Sequence, residues 1–224
     1  MGPKAAQVLA ACSDDALTFP WLSHRQITVA GQKLLALRLS YIGEHGWELH
    51  MPMTAMREVY TALLTAGKSH GIGHYGAYAA NAMRLEKGYR AWKGDLSTDY
   101  TLLEGGHERF IKFDKPQDFP GKAALLAEKQ QGVKKTFATM TLDNPGEMDA
   151  PYMSPIWHKG EVVGETTSGA WGFRVNKSIA LGMVRTDLNV VGGKVEVEIY
   201  GEKYTATIHE DAPLWDAANE RIRA

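Results

Sequence analysis

From Lys135 onward the chain breaks into short runs rich in β-branched and apolar residues, separated by turn residues, and this punctuation narrows the fold more than any other feature. The stretches 135–142, 154–158, 161–167, 179–184, 194–200 and 203–208 each read as strands. Lys159-Gly160, Gly192-Gly193 and Gly201-Glu202 are placed to close hairpins between them. Several short strands at such spacing predict a small barrel or a sandwich, because a sheet this narrow must close or pair to bury one face.

The first part of the chain has a different texture. Residues 4–12 read as a short helix after Pro3, ended by Ser13-Asp14-Asp15. Residues 25–29 and 34–40 read as strands meeting at Ala30-Gly31, with Leu35, Leu37 and Leu39 alternating against Ala36, Arg38 and Ser40 and forming the expected apolar face. After a strand-like piece at 47–51, residues 54–66 carry Met56, Val59, Tyr60, Leu63 and Leu64 at helical spacing, with Thr54 as the expected N-cap and Gly67 as the C′ residue. Further helices are expected at about 75–87, ending at Gly88, and 122–131, ending at Gly132. The fold class is therefore α+β, with an α+β domain over 1–132 and an all-β, barrel-like domain over 133–224.

Composition excludes more than it suggests. Lysine plus arginine number 25 against 26 for aspartate plus glutamate, so no global field draws in nucleic acid or an anionic membrane. The chain has no apolar run of spanning length and no secretory pattern at its start, and it is expected in the cytoplasm or an organelle matrix. The single cysteine, Cys12, allows no intrachain disulfide and reads as a packed helix residue. The eight histidines fall into no metal-ligand spacing, so no metal site is expected. No GxGxxG or Walker-type loop is present to dock FAD or ATP.

One run concentrates chemistry: Arg38-Leu39-Ser40-Tyr41-Ile42-Gly43-Glu44-His45-Gly46-Trp47-Glu48-Leu49. Gly43 and Gly46 allow a turn tight enough for Tyr41 and Glu48 to approach one pocket. From the residues alone, Glu48 reads first as a solvated strand carboxylate and Tyr41 as a core tyrosine with its hydroxyl satisfied, ahead of a shared ligand site. Arg84 can meet an anionic ligand or pair with Glu86, and Trp92, Trp157 and Trp171 read as packing residues.

The run resembles the signature of the glycine cleavage T-protein family (tyrosine, threonine, glycine, glutamate, any, glycine, any, glutamate), with Ile42 in place of the threonine. The resemblance continues through Met83-Arg84-Leu85-Glu86-Lys87-Gly88-Tyr89-Arg90-Ala91-Trp92, Asp95-Leu96, Leu103-Glu104-Gly105-Gly106, Thr167-Ser168-Gly169 and Ser178-Ile179-Ala180-Leu181-Gly182-Met183-Val184. The tract from Lys87 to Trp92 is more similar to the folate modules of sarcosine and dimethylglycine dehydrogenases than to free-standing T-proteins. The resemblance implies an aminomethyltransferase folate-binding domain, present here in part, followed by the family's C-terminal barrel.

It further implies tetrahydrofolate as cofactor, with Glu48 holding the pterin edge, Tyr41 facing the same ligand and Arg84 a candidate for its glutamate tail. Methylated amines are the implied substrates, and FAD is expected only in an upstream flavin domain of a parent chain. The family's catalytic aspartate lies in a segment ahead of Met1 and maps onto no residue here, so the chain is expected not to perform the chemistry alone. Other departures are Ala80, where free-standing T-proteins carry an arginine, Leu103 in place of proline, and His107-Glu108-Arg109 after Gly106. The alternatives are a free-standing aminomethyltransferase or demethylase, and a non-catalytic folate-binding module of the kind that assists tRNA modification or iron–sulfur assembly. The latter carries a lysine-glycine-cysteine-tyrosine motif, to which Cys12 does not belong.

Overall fold

A computed structural model describes residues 1–146 and 148–224. It divides into two compact units, one formed by residues 1–87 with 216–224 and the other by 88–215. The expected divide at Gly132 falls between the helix 122–131 and the barrel's first strand, which begins at Lys135, whereas the compact units part at Gly88.

In the first unit, α1 (Ala5–Ala10) precedes a three-stranded antiparallel sheet of β1 (His24–Val29), β2 (Gln32–Leu37) and β3 (Glu48–His50), in that order. The β1/β2 hairpin turns at Ala30-Gly31 as the sequence indicates, and both residues have positive φ, at 50° and 75°. That is the twist a two-residue hairpin needs. The buried face of β2 is not the leucine face. Leu34 and Ala36 are buried with Ile27, Val29, Leu9, Phe19 and Val59, while Leu35 and Leu37 are half-buried. Pairing of Ile27 with Leu34 sets this register and turns the even-numbered positions inward.

Helix α2 (Met53–Gly67) starts after Pro52 rather than Thr54 and runs into a short 3-10 turn, so that the left-handed residue ending it is Gly71 and not Gly67. Its buried face is centred on Ala55 and Val59; Met56 and Tyr60 are exposed, and the Tyr60 hydroxyl meets His74 Nε2 at 2.6 Å. Gly67 cannot carry a side chain, because a Cβ there would lie 2.6 Å from Ile72. Helix α3 (Ala77–Glu86) ends as expected before Gly88, whose φ is 65°. The segment 216–224, with α5 (Glu220–Arg223), completes this unit and buries Ile222.

The second unit contains α4 (Lys122–Gln131) and a closed antiparallel barrel in the order β4-β7-β6-β5-β8-β9. Its strands are β4 (Lys135–Leu142), β5 (Pro155–His158), β6 (Glu161–Gly172), β7 (Lys177–Arg185), β8 (Lys194–Ile199) and β9 (Glu202–His209). Met140, Ile156, Val197, Ile199 and Ile208 fill its interior with no exposure. Hairpins do form at Lys159-Gly160 and at Tyr200-Gly201. The hairpin expected at Gly192-Gly193 does not: β7 and β8 are not neighbours, and these glycines instead exchange backbone hydrogen bonds with Ile208.

Candidate functional site

The signature run lies in the first unit as an irregular loop between β2 and β3, anchored by a buried arginine. The Arg38 guanidinium donates to the carbonyls of Gly46 (3.2 Å) and Ala224 (2.9 Å) and to His45 Nδ1 (2.9 Å), and it lies over the Trp47 ring at 5.3 Å. Because arginine can only donate, His45 Nδ1 accepts and the imidazole proton sits on Nε2. Burial, reinforced by Arg38, holds the His45 pKa below its ordinary value, in keeping with a neutral ring. Gly43 has a φ of 80°, and a Cβ on Gly46 would lie 2.6 Å from Met1 Cα, so each glycine is required for a separate reason. The Glu44 amide donates to Ser40 Oγ, and the Glu44 carboxylate lies 3.5 Å from Arg221.

Glu48 opens β3, paired opposite Leu37. Its side chain is 42% exposed and faces His50 Nε2 at 3.4 Å. Tyr41 is 40% exposed, not a core tyrosine, while its neighbour Ile42 is buried at the position of the family threonine. Arg84 is the opposite case: it is 2% exposed, and its Nε and one terminal nitrogen both donate to Asn81 Oδ1, at 3.0 and 2.8 Å. A cavity of about 480 Å³ in the same unit is lined by Val8, Leu9, Trp47, Leu49, Leu63 and Ile72, with Tyr75 and His70 at its polar side. Tyr41, Glu48 and Arg84 are not among its lining residues.

Sequence reasoning missed buried charges in each unit. Lys87, quoted only as part of a tract, has no side-chain exposure. Its ammonium donates to the Asp216 carbonyl (2.8 Å) and Asn219 Oδ1 (2.9 Å), with the Asp216 carboxylate at 3.7 Å. In the second unit Asp95 is likewise fully buried. Trp92 is 77% exposed, which overturns its expected core role; Trp157 and Trp171 are half-buried. Cys12 is half-buried against the first unit's core, and burial raises its thiol pKa. Among the described residues no three histidine, cysteine or acidic side chains are grouped to hold a metal ion. No helix there is long and apolar enough to cross a membrane.

The family model described as the GCVT N-terminal domain matches residues 1–115, and that of the glycine cleavage T-protein C-terminal barrel domain matches residues 135–216. The chain belongs to the glycine cleavage T-protein family. Mitochondrial dimethylglycine dehydrogenase of Mus musculus is 38% identical over 226 residues, covering 99% of this chain and 26% of that protein. Mitochondrial sarcosine dehydrogenase of the same organism is 33% identical, covering 99% and 25%. The chain thus spans about a quarter of the length of these T-protein relatives. The crystal structure of the glycine cleavage system aminomethyltransferase T from Bartonella henselae superposes with a TM-score of 0.86 at 24% identity, over 97% of this chain and 58% of that one. It shares the T-protein fold, barrel included.

Proposed function

We propose that this chain is the tetrahydrofolate-binding, one-carbon-transfer portion of a flavin-dependent N-methyl amine dehydrogenase of the sarcosine or dimethylglycine type. The observation that carries the reading is the 38% identity to dimethylglycine dehydrogenase across 99% of the chain, which includes the whole signature loop. Glu48 suits the cofactor. The 2-amino-4-oxo edge of a pterin offers adjacent N–H donors, and a carboxylate fixed on a strand yet 42% exposed has oxygens to accept them. Tyr41, on the same loop, supplies an aromatic surface and a phenol. Arg84 is tied to Asn81 within α3, which favours the structural role over a contact with the folate tail.

When bound, reduced folate supplies the nitrogen that accepts a one-carbon unit. The contribution of this chain is to hold and orient it, a positioning role. The flavin and the amine oxidation belong in this reading to a separate domain of the parent enzyme. Calorimetric titration of the 224-residue chain with tetrahydrofolate under reducing conditions tests it. Saturable binding is expected, weakened by about 1.5–3 kcal/mol in Glu48→Ala, the loss for hydrogen bonds to a charged group. Unchanged affinity in that variant removes Glu48 from the site. Absence of binding by the unaltered chain rejects it as a self-sufficient folate module.

A further inference from the structure

The second unit contains a buried carboxylate that the proposed folate chemistry does not use. Asp95 accepts hydrogen bonds from the hydroxyls of Thr167 and Ser168, the latter at 2.9 and 3.1 Å to its two oxygens, and from the Ala91 amide at 2.7 Å. Successive residues of a strand ordinarily point to opposite faces, so Thr167 and Ser168 should not reach one group. The pairing of β6 with β7 shows why they do: Thr166 stands opposite Gly182 and Ser168 opposite Leu181, leaving Thr167 as an extra residue in a bulge. The bulge turns two neighbouring hydroxyls onto one carboxylate.

The loop that Asp95 ends is closed on itself as well. The Asp95 and Leu96 amides both donate to the Ala91 carbonyl, and the Lys93 amide donates to the Leu96 carbonyl at 2.8 Å. Lys93 is held at a φ of 71°, a conformation that a residue with a Cβ keeps only where its surroundings enforce it. Gly94 runs so close to β6 that a Cβ would lie 3.1 Å from the Thr167 carbonyl. At the outer end of this loop stands Trp92, with most of its indole in solvent.

We infer that Asp95 is a positioning residue: gripped by the hydroxyls of the β6 bulge, it fixes residues 91–96 in one conformation and holds Trp92 rigidly at the surface. The sequence run Thr167-Ser168-Gly169 then has a definite task, to supply the two donors. Fluorine NMR of fluorotryptophan-labelled protein tests this, with the Trp92 resonance assigned by its loss in Trp92→Phe; trypsin cleavage after Lys93 is the second readout. A single sharp Trp92 resonance is expected in the unaltered chain and in Thr167→Ser, which keeps the hydroxyl. In the double variant Thr167→Val with Ser168→Ala, the resonance is expected to broaden or split. Cleavage after Lys93 should accelerate about tenfold or more, as for lost hydrogen bonds to a charged group. Asp95→Asn, read in the same way, serves if the double variant does not fold. An unchanged Trp92 resonance and cleavage rate in either folded variant would overturn the assignment, as would Thr167→Ser behaving like the valine variant.

Discussion

Replacing Lys87 by methionine is the most direct probe of how the first unit is held together. Methionine keeps most of the aliphatic length and removes the charge. The substitution takes the ammonium's hydrogen bonds from the Asp216 carbonyl and the Asn219 amide oxygen, and it removes the cation paired with the Asp216 carboxylate, which is only 10% exposed and keeps the Glu220 and Arg221 amides as donors. Two hydrogen bonds to a charged group contribute about 1.5–3 kcal/mol each, and breaking one side of a buried ion pair costs about 3–5 kcal/mol overall. Because these overlap, the second figure is the one to use. With a urea m-value of about 2 kcal/mol/M, the first unit's unfolding midpoint should fall by about 1.5–2.5 M. Segment 216–224 should lose amide protection before the rest of the unit, since Lys87 ties it to the end of α3. Asp216→Asn should cost less, because both hydrogen-bond acceptors of the ammonium remain. A destabilisation below about 1 kcal/mol for Lys87→Met, with protection of the segment unchanged, would refute the claim that this buried ammonium anchors it.

Four further outcomes are expected. Gly169→Ala would place a Cβ 2.2 Å from the Ala150 carbonyl oxygen and should destabilise the barrel at or beyond the upper end of the usual 1–3 kcal/mol (approximate) for overpacking. Gly160→Ala, with nothing within 4 Å of its Cβ but a φ of 83°, should cost only about 1–2 kcal/mol; thermal melts of the two variants compare them. His45, His107 and His209 all have pKa values depressed first by burial and then by neighbouring cations, Arg38, Arg90 with Arg109, and Lys177 with Lys194. The unfolded chain therefore binds more protons just below the ordinary value of 6.5, and stability present above that pH should fall as the pH drops toward the folded values. Urea midpoints measured across that range should show the decline, with a shallower slope in His45→Gln. Ala30→Asn should stabilise the β1/β2 hairpin by about 0.5–1 kcal/mol, since Ala30 sits at a φ of 50° that asparagine tolerates better; the change in melting temperature checks it.

The sequence disclosed what depends on neighbours in the chain. Ala30-Gly31, Lys159-Gly160 and the end of α3 before Gly88 follow from local turn chemistry, and β4 spans the strand-like run read at 135–142. What depends on distant partners was hidden. The alternation in β2 was visible, but only the pairing with β1 shows which face is buried. Gly192-Gly193 looks like a hairpin turn because chain order suggests that β8 returns beside β7, whereas the barrel places β6 and β5 between them. At the candidate site, Glu48 and Tyr41 could be singled out from one continuous run. The supports of the structure could not, because Lys87, Arg38 and Asp95 find partners 129, 186 and 72 residues away.

Barrel closure also gives the two units unequal tendencies toward self-association. Every strand of the barrel has neighbours on both sides, so it offers no row of unpaired amides and carbonyls to another molecule. The three-stranded sheet has two margins: β3 is only three residues long, and β1 begins with exposed His24, Arg25 and Gln26, while the Thr28 and Ala30 amides are already bonded to the Asp15 carboxylate and the Cys12 carbonyl. When this protein is concentrated or warmed, intermolecular strand addition should start from the first unit, and those short or charged margins oppose it.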